Sequence, residues 1–183
     1  MRRVVLVTTG GTIEKTYDER TGELANRRSI VHRMLEELRL EDVEVEVVEL
    51  MSKDSLGMDD EDRRRIVDSV RSVLAGAGDG GEGEGGGGLA GVVILHGTDT
   101  RTATGQRLHD DLADPPVAIA LTGAMRPFEM KRSDALQNLT EAIFASQGLP
   151  PGVYCVAHGR ALRFPGVVKD RERGTFHYAA AAG

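Results

Sequence analysis

Val92-Val-Ile-Leu-His-Gly-Thr-Asp-Thr100 is a four-residue apolar run that breaks into a hydroxyl, a carboxylate and a second hydroxyl. An unbroken apolar run of this length reads as a strand covered on both faces, as in a parallel sheet between helices. Val4-Val-Leu-Val-Thr-Thr-Gly-Gly-Thr-Ile13 has the same design, with hydroxyls and glycines after the apolar residues. Two strands of this kind deliver threonines to one sheet edge, and ligands sit at the carboxyl ends of strands in doubly wound sheets.

Outward from these strands the chain alternates. Ser29 is placed to cap a helix whose stripe is Ile30, Val31, Met34, Leu35 and Leu38. Val43 to Leu50 alternates Val with Glu, the pattern of a strand near the sheet edge. The acids Asp59 to Asp62 suit the amino end of a helix dipole, and Ile66, Val67, Val70, Val73 and Leu74 form that helix's buried face. Beyond Val92 to Leu95 the pattern predicts a helix through Leu108 and Leu112, a strand Val117 to Leu121, a helix from Ser133, and a strand Val153 to Ala157. One short strand is expected from Val167. Alternation of this kind implies an α/β fold, a flavodoxin-like, doubly wound, mostly parallel sheet in three layers with right-handed crossovers. A length of 183 residues fits one domain over 1–183. Eight glycines and three acids between Gly78 and Gly88 read as a flexible solvent loop over 76–91. That stretch lacks the Lys-Ser/Thr ending of a phosphate cradle, and its acids would repel phosphate. The tail at 179–183 is expected to fray.

Charge excludes some partners. Charged residues make up 28% of the chain and the net charge is -6, which argues against a nucleic-acid or anionic-membrane surface. The single Cys155, in an apolar run, supports no disulfide framework and favours a reducing compartment. The apolar stretch after Met1-Arg-Arg is too short for a signal peptide, and no stretch approaches the roughly 20 apolar residues of a membrane span. A cytoplasmic protein is expected.

The strand-ends carry the candidate chemistry. A threonine hydroxyl is a weak nucleophile and needs a neighbour to take its proton. Lys169 is a candidate base, Asp99 could orient it, and glycines at 10, 11 and 97 would let backbone N–H groups approach an oxyanion. Spacing alone does not establish that these parts meet. His96 reads as a packing or hydrogen-bonding residue, since no other ligand stands at metal spacing; neither a metal site nor a cofactor is expected.

Thr9-Gly-Gly-Thr-Ile13 and Gly91-Val-Val-Ile-Leu-His-Gly-Thr-Asp-Thr100 resemble signatures of the bacterial-type L-asparaginases. Leu121-Thr-Gly-Ala-Met-Arg-Pro127 and Ser133-Asp-Ala-Leu-Gln-Asn-Leu139 also look like family segments, so the resemblance runs from residue 4 to about 170. It implies a flavodoxin-like amidohydrolase that turns L-asparagine into L-aspartate and ammonia through a threonine nucleophile and an acyl-enzyme. In that reading Thr12 forms the acyl-enzyme, helped by Tyr17 on a mobile flap. Thr98, Asp99 and Lys169 relay protons, and Asp99 binds the substrate's amino group. Ser52 contacts the substrate carboxylate, and Gly11 and Ala124 offer backbone to the substrate. A homo-oligomer, dimer or tetramer, is expected by analogy.

The chain departs from the family pattern at Glu14, Lys53 and Arg101, where a small residue, a glutamine and an apolar residue are usual. It also ends 14 residues after Lys169, which resembles a short, single-domain branch without the usual smaller C-terminal domain. The resemblance then implies weaker substrate binding and a high KM for asparagine. Two rival readings remain: an amino-acid-binding module with little turnover, and an amidase preferring glutamine. A nucleotide-binding flavodoxin relative is a third, resting only on the fold and the Gly10-Gly11 turn.

Overall fold

The structure, a computed structural model, describes residues 1–78 and 88–180. In chain order the elements are β1 (Arg2–Gly10), β2 (Thr16–Asp18), β3 (Glu23–Ala25), α1 (Val31–Glu36), β4 (Val43–Lys53), α2 (Asp60–Gly78), β5 (Leu89–Leu95), α3 (Arg101–Asp111), β6 (Ala118–Thr122), α4 (Ala135–Gly148), β7 (Gly152–Ala157), β8 (Arg160–Arg163), β9 (Val167–Asp170) and β10 (Thr175–Tyr178). The main sheet has the order β4-β1-β5-β6-β7-β8; every pair is parallel except β7 with β8. The alternating Val–Glu strand β4 lies at the edge, as its pattern requires, while β1 and β5 are central and apolar on both faces.

Period-two alternation splits the core in two. Val5, Val7, Val92, Ile94, Ile119 and Leu121 face α2 and α3, through Ile66, Val67, Val70 and Leu108. Val4, Leu6, Val93, Leu95 and Ala120 face α1 and α4, through Val31, Met34, Leu139 and Ile143. Val4 to Val7 are at most 1% exposed, and each such side chain contributes about 1.5–3 kcal/mol by leaving water. The result is the expected three-layer, doubly wound α/β domain.

One expectation fails. The steps β4→β5, β5→β6 and β6→β7 all move the same way across the sheet, yet α2 and α3 cover one face and α4 the other. The β6–α4–β7 crossover therefore has the opposite hand to the other three, against the usual rule for parallel strands. The face that α4 leaves free holds Cys155, Leu162, Phe164, Val167 and Phe176 in a single cluster. Helix α4 on its customary face would lie where β9 and β10 dock.

The carboxyl-terminal region also differs from expectation. Instead of one short strand, Val167–Asp170 and Thr175–Tyr178 pair as an antiparallel hairpin, and Arg160–Arg163 adds an edge strand to the main sheet. Gly159, at φ 74°, and His158, at φ 54°, make the tight return into β8. Helix α2 runs through Gly78 and β5 starts at Leu89, so the ends of the loop expected over 76–91 are helix and strand. Its remainder, 79–87, and the end of the tail, 181–183, lie outside the described residues.

Candidate active site

The chain leaves β1 toward β4 and returns to β5 on the other side, so the carboxyl ends of β1 and β5 flank a topological switch point. Gly11 has φ 84° and ψ -178°, a region essentially restricted to glycine. A Cβ there would lie 2.4 Å from the amide nitrogen of Gly97, so the loops after β1 and β5 touch backbone to backbone. The Gly11 N–H donates to the Lys53 carbonyl at 2.8 Å, which ties the end of β4 to the same point. Thr12 then opens a 3-10 turn, Thr12–Glu14, and is partly exposed at the edge.

Glu14 explains its own departure from the family pattern. Its buried carboxylate accepts from the Gly10 N–H at 3.1 Å, the Ile30 N–H at 3.3 Å and the Ser29 hydroxyl, clamping the turn to the start of α1. Burial pushes this carboxyl above its ordinary range, and the three donors oppose that shift. Ser29 receives the Val31 N–H at 3.3 Å, close to the capping role that its position predicts.

Three side chains converge at the end of β5. Lys169 Nζ donates to Thr98 Oγ1 at 2.8 Å and to Asp99 Oδ1 at 2.9 Å, across about seventy residues of sequence (separations of 71 and 70). Thr98 is 5% exposed, so water competes little with the amine for its hydroxyl. Arg171, on the turn after β9, adds a second cation to Asp99 Oδ1 at 2.7 Å. The Lys169 hydrogen bond, with both positive charges, holds the Asp99 carboxyl below its ordinary range despite partial burial. No sequence signal singles out Arg171. Its distance from Asp99 along the chain hides the pairing, which only the hairpin creates.

The remaining predicted residues divide. Ser52 Oγ is buried and has no hydrogen-bond partner among the described residues, an unfilled acceptor and donor of the kind a ligand satisfies. Lys53 is not free for a ligand: its amine bonds both oxygens of the buried Asp62, at 2.8 and 2.7 Å. Ala124 is buried just after β6, and the next two backbone N–H groups, of Met125 and Arg126, donate to Asp134 at the start of α4. His158 and Asn138 bond the same carboxylate at 2.8 and 2.9 Å, which fixes the loop behind Ala124. Tyr17 stands apart from these groups. It lies on the β2–β3 hairpin with 61% of its surface exposed, and no hydrogen bond joins its hydroxyl to Thr12 among the described residues.

His96 is buried and structural. Its Nδ1 lies 2.8 Å from the Gly97 carbonyl, which only accepts, so Nδ1 carries the proton and Nε2 accepts from Thr104 Oγ1 at 2.8 Å. Burial, with the Arg101 and Arg63 charges in support, pushes the ring down from 6.5 to about 4, so it is neutral at pH 7. A histidine depressed in the folded state contributes stability that is complete above the unfolded value and lost as pH falls toward the folded one. Between pH 6.5 and 4 the wild type is expected to lose about 3 kcal/mol of unfolding free energy through this group. Glu14, raised in the folded state, works in the opposite sense, so the readout is the difference between wild type and His96→Gln in urea titrations at pH 7 and pH 5. Equal pH dependence in both proteins removes His96 as the cause. Among the described residues, no three His, Cys, Asp or Glu side chains cluster as a metal ion would require.

The fold and this edge define a doubly wound α/β domain with threonines on two adjacent strand-ends and a lysine–aspartate pair beside one of them. The family model described as "Asparaginase, N-terminal" matches residues 3–176, and the chain belongs to that family. The L-asparaginase of Thermococcus kodakarensis is 45% identical over 65 residues, 35% of this chain and 20% of that protein. A glutamyl-tRNA(Gln) amidotransferase subunit of Aeropyrum pernix is 32% identical over 165 residues, 86% of this chain and 35% of that protein. Among solved structures, the thermostable L-asparaginase from Thermococcus kodakarensis superposes with a TM-score of 0.82 at 26% identity, over 96% of this chain and 51% of that one. The Vibrio cholerae L-asparaginase I, at 21% identity and a TM-score of 0.75, shares the fold over 96% of this chain and 51% of its own. The chain thus spans about half the length of these solved structures, and a smaller share of the curated relatives. Among the described residues no helix is long and apolar enough to cross a membrane.

Proposed function

We propose that this chain is an amidohydrolase domain that hydrolyses the side-chain amide of L-asparagine to L-aspartate and ammonia. The observation that carries the proposal is the Lys169 amine held at 2.8 Å from Thr98 Oγ1 and 2.9 Å from Asp99 Oδ1. An ammonium so placed can hand a proton to Thr98 as Thr98 gives its own to the departing nitrogen, and take one back from the attacking hydroxyl, which is what acyl transfer through threonine requires. Thr12, at the other side of the switch point, attacks the amide carbon; the C–N bond breaks as the relay protonates the departing ammonia, and the Thr12 hydroxyl proton returns to the relay. Water then cleaves the ester through Thr98 and Lys169. The Gly10 and Gly11 N–H groups already donate to Glu14 and Lys53, so those of Thr12 and Gly97 hold the oxyanion, and the Ser52 hydroxyl, without a partner among the described residues, meets the substrate carboxylate. Both cations bind Oδ1 of Asp99, which leaves Oδ2 for the substrate's ammonium.

Glutamine is the second reading. It rests on the relatives that cover most of this chain, which are described as subunits of glutamyl-tRNA(Gln) amidotransferases. The two amides differ by one methylene, worth about 1–3 kcal/mol in a pocket, so kcat/KM for each decides between them by roughly 10–200-fold. Lys169→Met is expected to lower kcat for the preferred amide by about 10^2–10^3-fold. A wild-type kcat in that variant removes the proposed relay. Tight binding of asparagine by calorimetry without ammonia release would instead make the chain a binding module.

A further inference from the structure

Arg101, the first residue of α3, is fully buried, and among the described residues no carboxylate meets its guanidinium. Nη1 reaches only the thiol of Cys155, at 3.9 Å, and Nε and Nη2 have no partner among the described residues. An unpaired buried cation weakens the core around it. The guanidinium also stacks on an aromatic ring: its carbon lies 4.6 Å from the centroid of Phe176.

Phe176 is directly opposite Lys169 in the β9–β10 ladder. Opposed residues of an antiparallel pair project to the same face, so ring and amine stand side by side. Residues 98 to 101 therefore receive both: Thr98 and Asp99 hold the amine, and Arg101 holds the ring. Among the described residues the hairpin forms a sheet of its own, with no backbone ladder to the main sheet. Its position depends on contacts such as Arg160 Nη1 to the Phe176 carbonyl at 2.9 Å, the Gly166 N–H to Gln106 at 3.3 Å, and the Arg101–Phe176 stack. The stack joins the hairpin to the segment that carries Thr98 and Asp99 from the β10 side, while Arg171, on the turn, reaches Asp99 Oδ1 at 2.7 Å from the β9 side.

We infer that Arg101 is a positioning residue: by clamping Phe176 it sets the depth and angle at which the hairpin presents Lys169 to Thr98 and Asp99. The consequence for turnover rests on the relay proposed above; the clamp itself does not. In this chain, which sets Phe176 beside Lys169, Met at 101 would fill the core without holding the ring, and the amine would lose that support.

The direct test is the rate at which an acylating reagent modifies Lys169, followed by mass spectrometry against the exposed Lys131 as internal standard. The Lys169 side chain is 13% exposed and doubly bonded, so it labels slowly in the wild type. In Arg101→Met its relative labelling rate is expected to rise about fivefold or more, through opening of the hairpin, with no fall in thermal midpoint. In kinetics, the same variant is expected to lose roughly 10–100-fold in kcat, with KM within about twofold. Placed in a Lys169→Met background, it is expected to change kcat by less than about twofold. Unchanged Lys169 labelling, or the same kcat loss in both backgrounds, overturns the inference. Should Arg101→Met not fold, Phe176→Leu removes the ring and leaves the cation, with the same labelling rise expected and an unchanged rate equally fatal. A wild type that releases ammonia from neither amide sinks the proposed function, while the labelling arm still decides the clamp.

Discussion

Thr12→Ala and Thr98→Ala are each expected to reduce ammonia release from asparagine by roughly 10^4-fold or more. In the proposed mechanism one hydroxyl attacks the amide and the other carries the proton, so neither step proceeds without its oxygen. The double variant is expected to be no worse than the poorer single variant within about threefold, because residues acting in one relay fail together. Removing a hydroxyl from the 5%-exposed Thr98 also leaves the Lys169 amine with Asp99 alone. The thermal midpoint should therefore move little, since a charged partner remains. Ammonia release at saturating asparagine, measured beside the midpoint, separates lost chemistry from lost fold. Wild-type rates in both variants would refute the threonine mechanism outright.

Gly11→Ala is expected to be severely damaging. The backbone at φ 84° and ψ -178° is strained for any residue with a Cβ, at about 1–3 kcal/mol. The new methyl would also lie 2.4 Å from the Gly97 amide nitrogen and 2.5 Å from its Cα, and neither is a flexible side chain that could give way. Relief requires separating the loops after β1 and β5, which are the loops that carry Thr12 and Thr98. A loss of at least about 3 kcal/mol in unfolding free energy is expected, with activity falling further than stability explains. Urea unfolding and kcat on the same preparation give both quantities. A variant of wild-type stability and rate would show that the two loops need not touch.

These two expectations differ in how visible they are in the sequence. Thr12 and Thr98 end recognisable apolar strands, and the run Val92 to Leu95 needs only local pattern to be placed at the centre of a parallel sheet. The Gly10-Gly11 turn signals backbone that other residues avoid, though not which loop it presses against. Arg101 and Lys53 show as departures from a family pattern. Their roles, one on a buried ring and one on a buried aspartate, come from partners that no spacing indicates.

Local pattern along the chain sets the alternation of strands and helices, the polar strand-ends at one edge, and the residue types able to transfer an acyl group. Each of these follows from interactions over a few residues: side-chain period, helix stripe, or turn preference. Long-range packing places α4 on the unexpected face, docks β9 and β10 where it is absent, and brings Lys169 to Thr98 across 71 residues. Crossover hand and hairpin docking depend on which apolar faces bury together over the whole chain. A local pattern carries no information about that choice, and the position of the candidate base depends on it.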